Sequence, residues 1–221
     1  MLALYGHPFS SYTWKALIPL YADGTPFEFR EFSQHAAFVG EAHPAGKFPV
    51  LTDGGVTVVE ATAIIEYLAV HHPGEAPLIP VESSIAVTAR MLDRVFDNYV
   101  MGNTQRVVAA YFVDKDNPGT KGMGDAPDAH EVEAGKAGLR RAYAWLENWL
   151  SANLLPPNVS LVTCAAAPSL FYADWVERIP EDCPKLAALR AELLALPAVS
   201  RCVEDARPYR AYFPPGAPDR D

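Results

Sequence analysis

The feature that most constrains this chain is Pro49, in the run Gly46-Lys47-Phe48-Pro49-Val50-Leu51. A proline has no N–H to give a sheet ladder, so within a sheet it marks an edge or the first residue of a strand. The segments around it fall into order. Residues 50–52 and 56–59 are short apolar runs either side of Asp53-Gly54-Gly55, the pattern of a hairpin. Glu60 then opens a helix over 61–72, with Ile64, Ile65, Leu68 and Ala69 on its apolar face. Upstream, residues 2–5 read as a short buried strand. Ser10 or Ser11 caps a helix running to about residue 23, with Gly24 as its stop. Pro19 lies inside that helix and is expected to kink or split it. Residues 27–32 alternate apolar and polar with period two, a half-buried strand.

The texture changes at the Pro-rich stretch 72–80, which reads as a linker. Beyond it only helical patterns remain, over about 83–111, 128–152, 160–179, 184–196 and 197–206. A glycine-rich loop lies between them at 114–127 and an abrupt turn at 155–158. The sequence predicts two domains, an α/β unit over 1–75 and an all-helical unit over 81–221.

Composition narrows the function. Half of the residues are hydrophobic, enough for a sizeable core, and the net charge of −9 argues against nucleic acid as a partner. No basic leader precedes a long apolar stretch and no apolar run is long enough to span a bilayer, so neither secretion nor a membrane is expected. Cys164, Cys183 and Cys202 show no pairing or metal spacing, which fits a reducing cytoplasm. The adjacent pair His71-His72 ends a predicted helix just before Pro73. It reads as compensation of the helix dipole rather than as a metal site.

Three signals stand in order along the first 68 residues: Leu4-Tyr5-Gly6-His7-Pro8-Phe9-Ser10-Ser11, then Lys47-Phe48-Pro49-Val50, then Glu60-Ala61-Thr62. Together they resemble the N-terminal, thioredoxin-like half of the cytosolic glutathione transferases, and the helical remainder resembles that family's second domain more weakly. The resemblance implies a cytoplasmic homodimer of detoxifying enzymes, with glutathione as co-substrate, a small hydrophobic electrophile as partner, and no metal. It implies a cis bond before Pro49, with the backbone of Val50 turned toward the cysteinyl unit of glutathione. Glu60 would receive the γ-glutamyl ammonium. The serine that the family usually carries next is Ala61 here, which removes one hydrogen bond to a charged group, about 1.5–3 kcal/mol. Thr62 lies about 100° further round the helix. Phe9, Phe48, Lys47 and His35, the last in a loop after the second strand, complete the implied glutathione site, with Lys47 or His35 facing the glycine carboxylate.

Ser10, five residues after Tyr5, resembles the activating serine of the phi, theta and zeta classes. A free thiol has a pKa of about 8.5. Lowering it by two units takes about 2.7 kcal/mol. A hydroxyl hydrogen bond to the thiolate gives about 1.5–3 and a helix N-terminus about 0.3–1, so no charged base is required. Ser11 is the alternative, and Ser10 also serves as a plain helix cap. No cysteine lies in this turn, against mixed-disulfide chemistry. In the helical half, Phe96, Tyr99, Met101, Asn103 and Tyr111 are candidates for the acceptor pocket. Thr163 replaces the usual acid three residues after Ser160, so the cap of that helix is expected to be weak. Two rival functions remain. One is a zeta-like maleylacetoacetate isomerase, although Tyr12 stands where that class carries a cysteine. The other is a non-catalytic glutathione- or ligand-binding module, to which Ala61 points.

Overall fold

The computed structural model describes residues 1–112 and 127–221. Strands β1 (Ala3–Gly6), β2 (Glu28–Glu31), β3 (Val50–Asp53) and β4 (Val56–Val59) form one sheet in the order β2-β1-β3-β4. β1 runs parallel to β2 and antiparallel to β3, with Leu4 opposite Phe29 on one side and Leu51 on the other. The parallel pair needs a crossover, and α1 (Ser11–Ala22) supplies it. The antiparallel pair β3–β4 closes through Asp53-Gly54-Gly55, where both glycines take positive φ. Helices α2 (Phe32–Ala42) and α3 (Ala61–His71) complete a thioredoxin-like unit.

Two local expectations are corrected here. Pro19 does not divide α1, which runs through it unbroken. That helix is buried at Ser11 and along residues 13–20, and such packing outweighs one lost backbone bond. Residues 32–42 form a helix rather than a loop, with Val39 buried against Tyr5 and Val50.

The second unit is helical: α4 (Ser83–Val95), a π-helical segment Phe96–Met101, α5 (Gly102–Ala110), α6 (Ala129–Ala152), α7 (Leu161–Val176), α8 (Pro184–Leu194), α9 (Pro197–Ala206) and a 3₁₀ turn Arg207–Tyr212. Of the loop expected at 114–127, residues 114–126 lie outside the described residues. Every residue of α7 is buried, so this helix is the axis of the unit. Its start makes half of a capping box: Thr163 Oγ1 accepts the Ser160 N–H at 3.2 Å, the contact an acid would make, while Ser160 Oγ is buried without a partner among the described residues. One core runs through both units: α1 packs on α7 and α9, with Trp14 against Phe171 and Tyr172.

Candidate active site

The site is built on the turn from β1 to α1. At Gly6 a Cβ would come 2.6 Å from the Thr13 side chain, so glycine is required. That close approach lets Thr13 Oγ1 accept the His7 N–H at 3.3 Å. Pro8 O accepts from Trp14 Nε1 at 2.6 Å, and Phe9 O from the Tyr172 hydroxyl at 2.9 Å. The turn is thereby tied to α1 and to α7. Ser10 ends it with extended backbone, and its Oγ accepts the Thr13 N–H at 3.2 Å. That contact uses one oxygen lone pair. Among the described residues the hydroxyl proton has no acceptor.

Ser10 and Ser11 open onto a cleft of about 440 Å³ between the two units. His7, Phe9 and Phe48 line it from the first unit, and α5 and the C-terminal segment line it from the second. The Phe48–Pro49 peptide bond is cis. Val50 requires a correction. It stands in the sheet between Tyr5 of β1 and Val59 of β4, so its backbone groups face neighbouring strands and not the cleft. Phe48 is the exposed backbone here: it lines the cleft, and no hydrogen bond among the described residues uses its N–H or C=O.

Glu60 is the one non-glycine residue of positive φ among the described residues, at 69°. A residue held in that region costs about 1–3 kcal/mol. Its side chain is 74% exposed, with Oε1 3.3 Å from Nε2 of the buried His43. His43 Nδ1 accepts the Ala45 N–H at 3.0 Å, so the proton of the neutral ring is on Nε2 and points at Glu60. α3 starts at the buried Ala61 with no side-chain cap, which leaves the first-turn N–H groups for an anion. The Thr62 hydroxyl is engaged elsewhere. It lies 3.1 Å from Lys15 Nζ and 2.9 Å from Asp93 Oδ2, so it does not take over the missing serine's role.

His35 parts company with the expectation. His35 sits in α2, its Nδ1 3.0 Å from Glu31 O and its ring edge-on to Tyr5, and is not in the cleft. Lys47 is exposed on the loop before Phe48. Of the five acceptor-pocket residues only Met101 lines the cleft. Phe96 is core, Tyr111 packs against it, and Tyr99 and Asn103 line a separate hollow between α4 and α6. Sequence reasoning missed the rest of that wall, Gln105 and Val108 of α5 and Phe112 just beyond it, at helical spacing from Met101. It also missed the tail, where Phe213 packs on Phe9, Tyr172 and Trp175. A third omission is the buried cluster of Lys15, Asp93 and Asp97 that joins α1 to α4 and the π-helical segment. Its only signal was a lysine inside the apolar run Trp14-Lys15-Ala16-Leu17-Ile18.

Residues 4–76 match the family model for the glutathione S-transferase N-terminal domain. The chain thus carries a glutathione S-transferase N-terminal domain. It is 26% identical over 220 residues to a probable maleylacetoacetate isomerase of Vibrio cholerae serotype O1, covering 94% of this chain and 97% of that protein. Among solved structures, a glutathione S-transferase from Rhodospirillum rubrum F11 superimposes with a TM-score of 0.76 at 23% identity, with 92% of each chain covered. A glutathione transferase family member from Pseudomonas fluorescens Pf-5, solved with bound glutathione, gives 0.72 at 22% identity, covering 91% of this chain and 98% of that one. The family's two-part architecture is thus the one seen here.

Proposed function

We propose that the protein is a serine-type glutathione transferase, which holds glutathione on residues 1–75 and a small apolar electrophile against residues 81–221. The observation that carries this is Ser10: its oxygen is fixed by the Thr13 N–H, and beside the cleft its proton has no acceptor among the described residues. A thiolate placed there accepts that proton as a hydrogen bond and lies near the N-terminus of α1. The free backbone of Phe48 pairs with the cysteinyl unit, as a strand pairs with a peptide. Glu60 faces the ammonium, and the uncapped start of α3 takes the neighbouring carboxylate. Lys47, exposed on the loop just before Phe48, takes the glycine carboxylate. The stabilised thiolate attacks the electrophile, which rests on the α5 face and Phe213.

The test is the thiolate absorbance of bound glutathione against pH. Ser10→Ala should raise its pKa by about one to two units, the worth of a charge-assisted hydrogen bond. A shift seen only in Ser11→Ala would transfer the role to Ser11. Equal values in all three proteins would remove the hydroxyl mechanism and favour a binding module.

The second reading is isomerisation of maleylacetoacetate, favoured by the Vibrio cholerae relative. Turnover of that substrate without conjugation of aryl halides would select it. We also assign a homodimer, because Met91, Tyr99 and Trp145 expose apolar surface around the hollow between α4 and α6. Sedimentation velocity decides that point. A cytoplasmic location fits the three unpaired cysteines.

A further inference from the structure

His7 has no part in the glutathione site as proposed, yet it lines the same cleft. Its Nδ1 accepts the Phe9 N–H at 3.1 Å. That contact fixes the tautomer, because a nitrogen that accepts carries no proton, so the neutral ring bears its hydrogen on Nε2. The Tyr209 ring meets His7 edge-on at 4.6 Å and its backbone N–H is held by Thr13, so the ring has one orientation. Nε2–H has no acceptor among the described residues, and it is not one of the buried atoms without a partner, so it reaches open space. Desolvation by burial lowers the ring's pKa, which keeps it neutral at physiological pH. The same cleft is lined by the rings of Phe9, Tyr172 and Phe213.

We propose that His7 is a specificity-determining donor, whose Nε2–H binds an oxygen conjugated to the carbon under attack, and that the preferred acceptors are α,β-unsaturated carbonyl compounds. This rests on the thiolate reading above. In the step, a sulfur lone pair forms the S–C bond at the β-carbon. The C=C pair shifts toward the carbonyl carbon and the C=O π pair moves onto oxygen, giving an enolate. Solvent, which took up the thiol proton, returns one to the α-carbon. The negative charge that develops on oxygen is met by a fixed neutral donor among apolar rings, where such a bond is strongest. A benzyl halide expels its leaving group without building charge on a conjugated oxygen and gains nothing from His7.

The experiment compares benzylideneacetone with benzyl chloride, each with glutathione, in wild type, His7→Phe and His7→Gln. His7→Phe should lower kcat/KM for the enone by about 10²-fold while benzyl chloride stays within about twofold, as for the loss of one oxyanion donor. His7→Gln retains an N–H donor and should recover part of the loss. Equal losses on both acceptors, or none, overturn the proposal. So does a wild type that conjugates benzyl chloride but not the enone, which leaves the transferase reading standing. A wild type that conjugates neither overturns that reading and this inference with it. A readout independent of the variants is the Nε2 resonance of His7 in ¹⁵N-labelled wild type. It should shift on adding benzylideneacetone and not benzyl chloride, and an unmoved resonance rejects the contact.

Discussion

Lys15 Nζ lies 2.7 Å from Asp93 Oδ1, and each side chain is only 1% exposed. Asp97 Oδ2 stands on the same nitrogen at 2.7 Å. This buried cluster joins α1, which Ser10 caps, to α4 and the π-helical segment that ends at Met101. It therefore holds the two walls of the cleft to each other. Removing one partner strands a buried charge. Lys15→Met should destabilise the protein by about 3–5 kcal/mol. Arg94→Ala, at a side chain 52% exposed on the rim of the same cluster, should cost about 1 kcal/mol or less. Urea midpoints check both, and similar losses for the two variants would show that burial is not what matters here.

What was legible in the sequence was chemistry tied to a local backbone signal. Pro49, Ser10 and Glu60 each sit where a strand starts or a helix opens, and such places advertise themselves through residue type. What was not legible depended on rotation and distance. The π-helical turn at Phe96–Met101 adds a residue to the helical register. One extra residue turns everything after it by about 100°. Within α5, Asn103 faces the hollow against α6, while Gln105, two residues and about 200° further round, faces the cleft. The tail is tied down by partners remote in sequence: Arg220 pairs with Asp174, and Arg210 lies 4.8 Å over the Trp175 ring. No local pattern announces those contacts. The helix α2 escaped because only Val39 of its residues is buried, too little for an apolar stripe.

Ser10 has two jobs that one substitution can separate. Alanine removes both the cap and the hydroxyl, and losing the cap costs about 1 kcal/mol of stability. Glycine is nearly as good a cap, within a few tenths of a kcal/mol. Ser10→Gly should therefore keep the wild-type urea midpoint while turnover near neutral pH falls about as far as in Ser10→Ala. If Ser10→Gly keeps its turnover, the hydroxyl is a cap and nothing more.

His7 gives the stability a dependence on pH whose sign can be stated. Burial, opposed by the carboxylate of Glu31, lowers its folded pKa below the ordinary 6.5. Between the two values the unfolded chain binds more protons than the folded one, so stability rises with pH. Its contribution is fully present above the unfolded value and is lost as pH falls through the folded one. Protonation also ends the acceptance of the Phe9 N–H at Nδ1. The urea midpoint of wild type should drop between about pH 7 and pH 5 by more than that of His7→Phe. Parallel drops in the two proteins would show that His7 titrates alike in both states.

Glu60 sets stability against function. Its φ of 69° belongs to glycine, and relieving it is worth about 1–3 kcal/mol. Glycine gives back about 0.5–1 of this through its freer unfolded chain. Glu60→Gly should thus raise stability by about 1 kcal/mol and weaken glutathione binding about tenfold or more, because the ammonium loses its carboxylate. Thermal unfolding and titration calorimetry on the same sample read the two effects. A variant that binds as tightly as wild type would place the ammonium away from Glu60.

Ala61 is the sharpest departure in the site, and restoring serine tests where the γ-glutamyl group lies. Ala61 is 5% exposed at the first turn of α3, whose leading N–H groups are uncapped. A serine hydroxyl there would join those N–H groups around a carboxylate. Thr62 cannot mask the effect, because its hydroxyl is held by Lys15 and Asp93. One regained hydrogen bond to a charged group is worth about 1.5–3 kcal/mol, so Ala61→Ser should tighten glutathione about tenfold or more. The pKa of the bound thiol should stay where it is, since Ser10 sets it. Titration calorimetry gives the first quantity and thiolate absorbance the second. Unchanged affinity would move the carboxylate away from α3, and a changed thiol pKa would show that the two ends of glutathione are coupled through the protein.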